Sequence, residues 1–130
     1  MRAYERLLNY VKIHTTSDEN STTVPTTARQ FDLARVLVEE MKALGIADAR
    51  VGENCYVYGT IPATPGYEDK TAIGFISHLD TAPDFCGAHV NPQIHENYDG
   101  GEVALGTSGK TLSPEKFPHL SGLKGRTLIT

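Results

Sequence analysis

The sequence predicts an α/β fold. Two segments place apolar residues at helical spacing, a third alternates as a strand and turns back on itself, and a fourth, Ala72-Ile73-Gly74-Phe75-Ile76, is an uncharged apolar run. Such a run reads as a strand covered on both faces. Together they predict two helices packed on a mixed β-sheet whose central member is 71–77.

Tyr4, Leu7, Leu8 and Val11 fall at i, i+3, i+4 and i+7, the stripe of an amphipathic first helix ending near Ile13. Its role is packing. His14 to Pro25 is rich in Ser, Thr, Asn and Asp and reads as a loop, with His14 solvated. A second helix starts near Thr27, where Thr27 and Gln30 match a capping box, and it presents Leu33, Val36, Leu37, Met41 and Leu44 on one face. Gly45 follows where a left-handed residue ends a helix. Ala49 to Val51 and Cys55 to Ile61 flank Gly52-Glu53-Asn54 as a hairpin, with Cys55 a small buried hydrophobe. Pro62 to Lys70 is a turn-rich connector into the apolar strand.

Beyond Asp80 no long helical stripe appears. Short strands are expected at Gln93-Ile94-His95 and Val103-Ala104-Leu105, a helical turn over Pro114 to Leu120, and a strand at Thr127-Leu128-Ile129-Thr130. An irregular stretch of this length signals an elaborated functional loop or an arm covered by other parts.

With 12 basic and 16 acidic residues the formal charge is -4, and no block of Lys or Arg forms a phosphate-binding stripe. No nucleic-acid partner is expected. The charged amino terminus lacks the apolar core of a signal peptide and no run reaches the length of a membrane span. A cytoplasmic protein with no membrane partner is therefore expected. Cys55 and Cys86 are too few for a disulfide framework.

The chemistry gathers just after the apolar run, at His78 and Asp80. Strand side chains two apart project to one side, about 6 to 7 Å apart along the chain, so imidazole and carboxylate share a face. A neutral imidazole binds zinc through one nitrogen while a carboxylate fixes its tautomer by accepting the other N–H. The same pair also reads as a strand-end histidine satisfied by a carboxylate with no metal involved. Ser77 faces away from His78, so the two do not form a nucleophile and base. Cys86-Gly87-Ala88-His89 has the spacing of half a zinc site, which His95 or His78 would complete, with Asp84 a further candidate ligand. His119 reads as a surface residue.

The run Ala72 to Thr81, followed by Asn91-Pro92-Gln93-Ile94, Glu96-Asn97-Tyr98, Gly100-Gly101, Ala104-Leu105-Gly106, Leu112-Ser113-Pro114 and Leu128-Ile129-Thr130, resembles the opening part of the peptidase T family. That family comprises tripeptide aminopeptidases within the dinuclear zinc M20 metallopeptidases. By position the resemblance implies that His78 binds one zinc ion and that Asp80 is the active-site aspartate orienting it. It further implies two zinc ions sharing a bridging carboxylate and a water, a glutamate that takes the water's proton, and short peptides with a free amino terminus as substrates.

The resemblance also implies that the bridging aspartate, the glutamate, the remaining ligands and a lid-like dimerisation domain lie after the point matching Thr130. Residues 1–130 are therefore expected to be the opening segment of an M20-type catalytic domain, holding at most one zinc ligand and inactive alone. Two other readings stay open: a non-catalytic module that associates with a partner chain or a second copy through an unfinished sheet edge, and a small zinc-binding domain built on Cys86, His89 and His95.

Overall fold

In the computed structural model, which describes all 130 residues, the chain has two α-helices and six two-residue strands paired as three separate antiparallel ribbons. Contacts divide it into two units, Met1–Val90 and Asn91–Thr130. No helix is long and apolar enough to cross a membrane.

In the first unit, helix α1 spans Ala3–Tyr10 and opens on the Arg2 N–H, which donates to Glu5 Oε2 at 2.6 Å. It stops short of the expected Ile13. The Lys12 and Ile13 amides reach back only three residues, to Asn9 and Tyr10, so the last turn tightens and closes. The predicted stripe is only partly covered: Leu8 and Val11 are half-buried, while Tyr4 and Leu7 are exposed.

Helix α2 spans Gln30–Ala43 and buries Gln30, Leu33, Ala34 and Val38. Val36 and Leu44, expected on the covered face, are exposed, so that face is centred closer to Ala34 than the sequence stripe predicts. The predicted capping box is not formed. The Thr27 hydroxyl donates to the Thr16 carbonyl at 3.0 Å, and the Gln30 side-chain amide donates to Thr26 Oγ1 and Thr27 Oγ1 at 3.1 and 3.3 Å. Gly45 ends the helix as expected, at φ +93° with its N–H on the Lys42 carbonyl.

The two helices are joined by a polar knot. Arg6 Nη1 lies 2.9 Å from Glu40 Oε2, and the Tyr10 hydroxyl donates to the same carboxylate oxygen. Those two donors, Tyr10 first, hold the Glu40 carboxyl below its ordinary range. A depressed folded-state pKa stabilises above the unfolded value, about 4.3, and that contribution is lost as pH falls through the lowered value. Thermal unfolding of Glu40→Gln is thus expected to start lower than that of the parent at neutral pH, with the gap closing in strong acid.

Strands β1 (Arg50–Val51) and β2 (Val57–Tyr58) form the expected hairpin, pairing Arg50 with Tyr58 and Val51 with Val57. The Gly52 amide donates to the Tyr56 carbonyl, and α2 packs on the ribbon. Cys55 is buried in the turn, and burial pushes its thiol pKa up, so it stays a protonated hydrophobe. Gly59 leaves room for α2: a Cβ there would stand 2.3 Å from Met41 Cε and 2.7 Å from Ile46 Cγ2.

The predicted central strand is the main correction. Residues 71–77 are in no strand, and none of residues 71–80 makes a backbone hydrogen bond to another backbone group. Ile73, Phe75 and Ile76 are 80%, 94% and 101% exposed. An apolar run is buried only where neighbouring strands flank it, and every strand in this chain is two residues long and already paired elsewhere. The expected mixed sheet is therefore replaced by three small antiparallel ribbons.

In the second unit, β3 (Ile94–His95) pairs with β6 (Leu128–Ile129), and β4 (Val103–Ala104) pairs with β5 (Thr111–Leu112). β3, β4 and β6 lie where the sequence placed strands. Tyr98, Val103 and Leu120 are buried together, with Leu112, Leu123 and Leu128 packed around them. Leu120 comes from a 3-10 helix over Pro118–Leu123, later than the predicted turn at Pro114 to Leu120. Pro118 explains the shift: it fits the first position of a helix, whose N–H needs no partner.

Candidate functional site

The stretch carrying His78 and Asp80 is tied down at Thr81. That residue forms a parallel bridge with Thr16, and its carbonyl accepts the Ser17 N–H at 3.0 Å and the Ser17 hydroxyl at 3.1 Å. The two threonine hydroxyls meet at 3.1 Å, and the Gly87 N–H donates to Thr16 Oγ1 at 3.2 Å. The polar loop that the sequence leaves without a role is therefore the anchor of the candidate site. Gly87 fits only because it has no side chain, since a Cβ would stand 2.4 Å from Thr16 Oγ1 and 3.0 Å from Thr81 Oγ1. Gly87→Ala is expected to cost about 1 to 3 kcal/mol by overpacking, measured by denaturant unfolding.

Against this anchor His78 and Asp80 meet, with Nδ1 to Oδ1 at 3.1 Å. They share a side, as the sequence predicts, although the segment is not paired into a sheet. The imidazole is 82% exposed and the carboxylate 37%. With the proton on Nδ1, the carboxylate accepts it and the Nε2 lone pair points away from Asp80, the arrangement of a metal-ligating histidine with its orienting partner. Two cavities adjoin the pair. One of about 660 Å³ is lined by Tyr56, Tyr58, Phe75, Ile76, His78 and Asp80 among others; one of about 470 Å³ includes Asp18, Glu19, Asp80 and Asp84.

Of the other candidate ligands only Asp84 lines a cavity with Asp80. Cys86 and His89 are exposed in the first unit, while His95 sits in the second, its Nε2 3.2 Å from Thr130 Oγ1. His119 is exposed, as expected. His14, expected to be solvated, is half-buried with its Nε2 2.9 Å from Arg29 Nη1. Nowhere do three or more His, Cys, Asp or Glu side chains gather as a metal site. The zinc domain expected from Cys86, His89 and His95 is therefore not among the groupings this structure forms. A hydrolytic zinc needs about three protein ligands and an open position. His78 with Asp80 fits one ligand and its orienting carboxylate, and the set within this chain goes no further.

Comparison with models of protein families gives no match. Curated proteins do match. Peptidase T of Geobacillus kaustophilus (strain HTA426) and peptidase T of Bacillus subtilis (strain 168) are each 50% identical over 127 residues. Peptidase T of Alkaliphilus oremlandii (strain OhILAs) is 51% identical over 129 residues. Each match covers 97% of this chain and 31% of the relative. At about 50% identity along nearly all of its residues, the chain is a homologue of peptidase T over a stretch equal to 31% of those proteins' length.

Proposed function

We propose that this chain supplies one corner of the active site of a zinc-dependent tripeptide aminopeptidase, as the opening segment of an M20-type catalytic domain. The observation that carries the reading is the His78–Asp80 pair, in contact at 3.1 Å on a stretch of peptidase T sequence. Asp80 accepts the Nδ1 proton and holds the ring, and His78 offers Nε2 to the metal. Zinc, when bound, lowers the pKa of its water towards about 7 and polarises the peptide carbonyl. The substrates proposed are tripeptides with a free amino terminus, cleaved to release the first residue, and the location proposed is the cytoplasm. The side chains that complete the ligand set and take the water's proton are not gathered in this chain, so these 130 residues alone are proposed to be inactive.

The test joins this chain to the part of Bacillus subtilis peptidase T that it does not match. With zinc, that protein is expected to cleave a free tripeptide but not one with a blocked amino terminus, and His78→Ala abolishes the cleavage. Full activity in His78→Ala would refute the role given to His78.

A further inference from the structure

We infer that the Thr16 hydroxyl is a positioning group for the His78–Asp80 pair, acting through Thr81 and Gly87. That the pair serves a zinc ion rests on the reading above; that Thr16 sets its geometry rests on the contacts themselves. Asp80 is the residue before Thr81, and no backbone group of residues 71–80 is hydrogen-bonded to another backbone group. The backbone of the pair therefore takes its position from the carboxyl side, through whatever holds Thr81.

Two kinds of bond hold Thr81, and they constrain different things. The Thr81 N–H donates to the Thr15 carbonyl at 3.4 Å, a long contact, and the Thr81 carbonyl accepts the Ser17 N–H at 3.0 Å. These backbone bonds tie only the first residue of the stretch 81–87. The Thr16 hydroxyl ties both ends, since it meets Thr81 Oγ1 at 3.1 Å and accepts the Gly87 N–H at 3.2 Å. One oxygen thus closes 81–87 into a loop. Thr16 is itself held from the other direction: its carbonyl accepts the Thr27 hydroxyl at 3.0 Å, just ahead of helix α2, and its neighbour Thr15 is buried. The closing oxygen is therefore a fixed point to which the loop, and Asp80 at its entrance, are referred. A hydroxyl can accept one bond and exchange another there, whereas a methyl of similar size does neither. Without it the half-buried Gly87 N–H loses its acceptor, so the loop shifts to find another and turns Asp80 with it.

Nitrogen-15 NMR of the His78 ring tests this in the 130-residue chain without zinc, at an alkaline pH where an ordinary imidazole is neutral. In the parent the two ring nitrogens are expected to be well separated, with the proton held on Nδ1 by Asp80. Thr16→Val is expected to draw them together as the two tautomers mix, and Thr16→Ser, which keeps the hydroxyl, to restore the separation. Gly87→Ala, whose Cβ would press to 2.4 Å from the same oxygen, is expected to act in the direction of Thr16→Val. Glu40→Gln, which loosens the chain away from this loop, is expected to leave the ring unchanged. In the protein joined to the remainder of Bacillus subtilis peptidase T, Thr16→Val is expected to weaken zinc binding by about three- to tenfold, less than loss of the orienting carboxylate itself.

Ring nitrogens in Thr16→Val that match those of the parent would overturn the inference. So would an equal change in Glu40→Gln, or no recovery in Thr16→Ser, because either makes the effect a general loosening. His78→Ala separates this from the zinc reading. Zinc affinity unmoved by His78→Ala refutes the metal role, while a ring that depends on the Thr16 hydroxyl leaves the positioning role standing; zinc lost in His78→Ala with the ring unmoved in Thr16→Val does the reverse.

Discussion

Incubated with zinc and a free tripeptide, the 130-residue chain releases no amino-terminal residue above the rate with zinc alone. Metallopeptidase chemistry depends on a metal held by about three protein ligands beside an open position, with a base placed for the water's proton. Here one imidazole stands 82% exposed, and no second His, Cys, Asp or Glu pair joins it as a ligand set. Free imidazole-like binding leaves the zinc mobile and its water unplaced, so the enzyme-scale acceleration, typically at least about a millionfold, is absent in full. Amino-acid release measured by a ninhydrin or coupled assay checks this. Turnover that disappears in His78→Ala would mean that the ligand set is more complete than the structure allows.

The second large effect belongs to Asp80. In the protein joined to the rest of peptidase T, Asp80→Asn is expected to weaken zinc binding by about 10- to 100-fold, as loss of an orienting carboxylate does elsewhere. The amide keeps the size of the carboxylate but removes its charge, and it can turn a donor rather than an acceptor towards Nδ1 at the present 3.1 Å contact. The imidazole then loses the bias that leaves Nε2 free for metal. Zinc titration against a competing chelator measures the change, and Asp80→Glu, which restores an acceptor, is expected to recover part of it. An affinity unchanged in Asp80→Asn would remove the orienting role.

What the sequence made legible was mostly local. The Gly52-Glu53-Asn54 turn, the left-handed Gly45 and the meeting of His78 with Asp80 each depend on residues within a few positions of one another, and each is where the pattern put it. The failures are long-range. Thr27 has the right neighbour for a capping box, yet its hydroxyl bonds to the Thr16 carbonyl, a partner that no spacing rule near Thr27 reveals. Ala72–Ile76 has the composition of a covered strand, but composition states what a segment requires and not whether neighbours exist to provide it. β5 was not expected from the sequence, since Thr111–Leu112 sits between Lys110 and Ser113-Pro114 with no apolar run around it, although the turn at Gly106 to Gly109 folds it back so that the Leu105 amide meets the Lys110 carbonyl. At the site the pair was legible, whereas its anchor through Thr16, Thr81 and Gly87 was not, since Thr16 lies 65 residues before Thr81 and 71 before Gly87.

The central claim is that His78 offers Nε2 to zinc while Asp80 holds the proton on Nδ1. Nitrogen-15 NMR of the histidine rings, recorded on the protein joined to the remainder of peptidase T before and after one equivalent of zinc, reads both nitrogens at once. The account predicts that the His78 Nε2 resonance moves to a metal-bound position while Nδ1 keeps its proton, and that Asp80→Asn blurs this distinction. Zinc bound with the His78 ring unmoved, or bound through Nδ1, would contradict it.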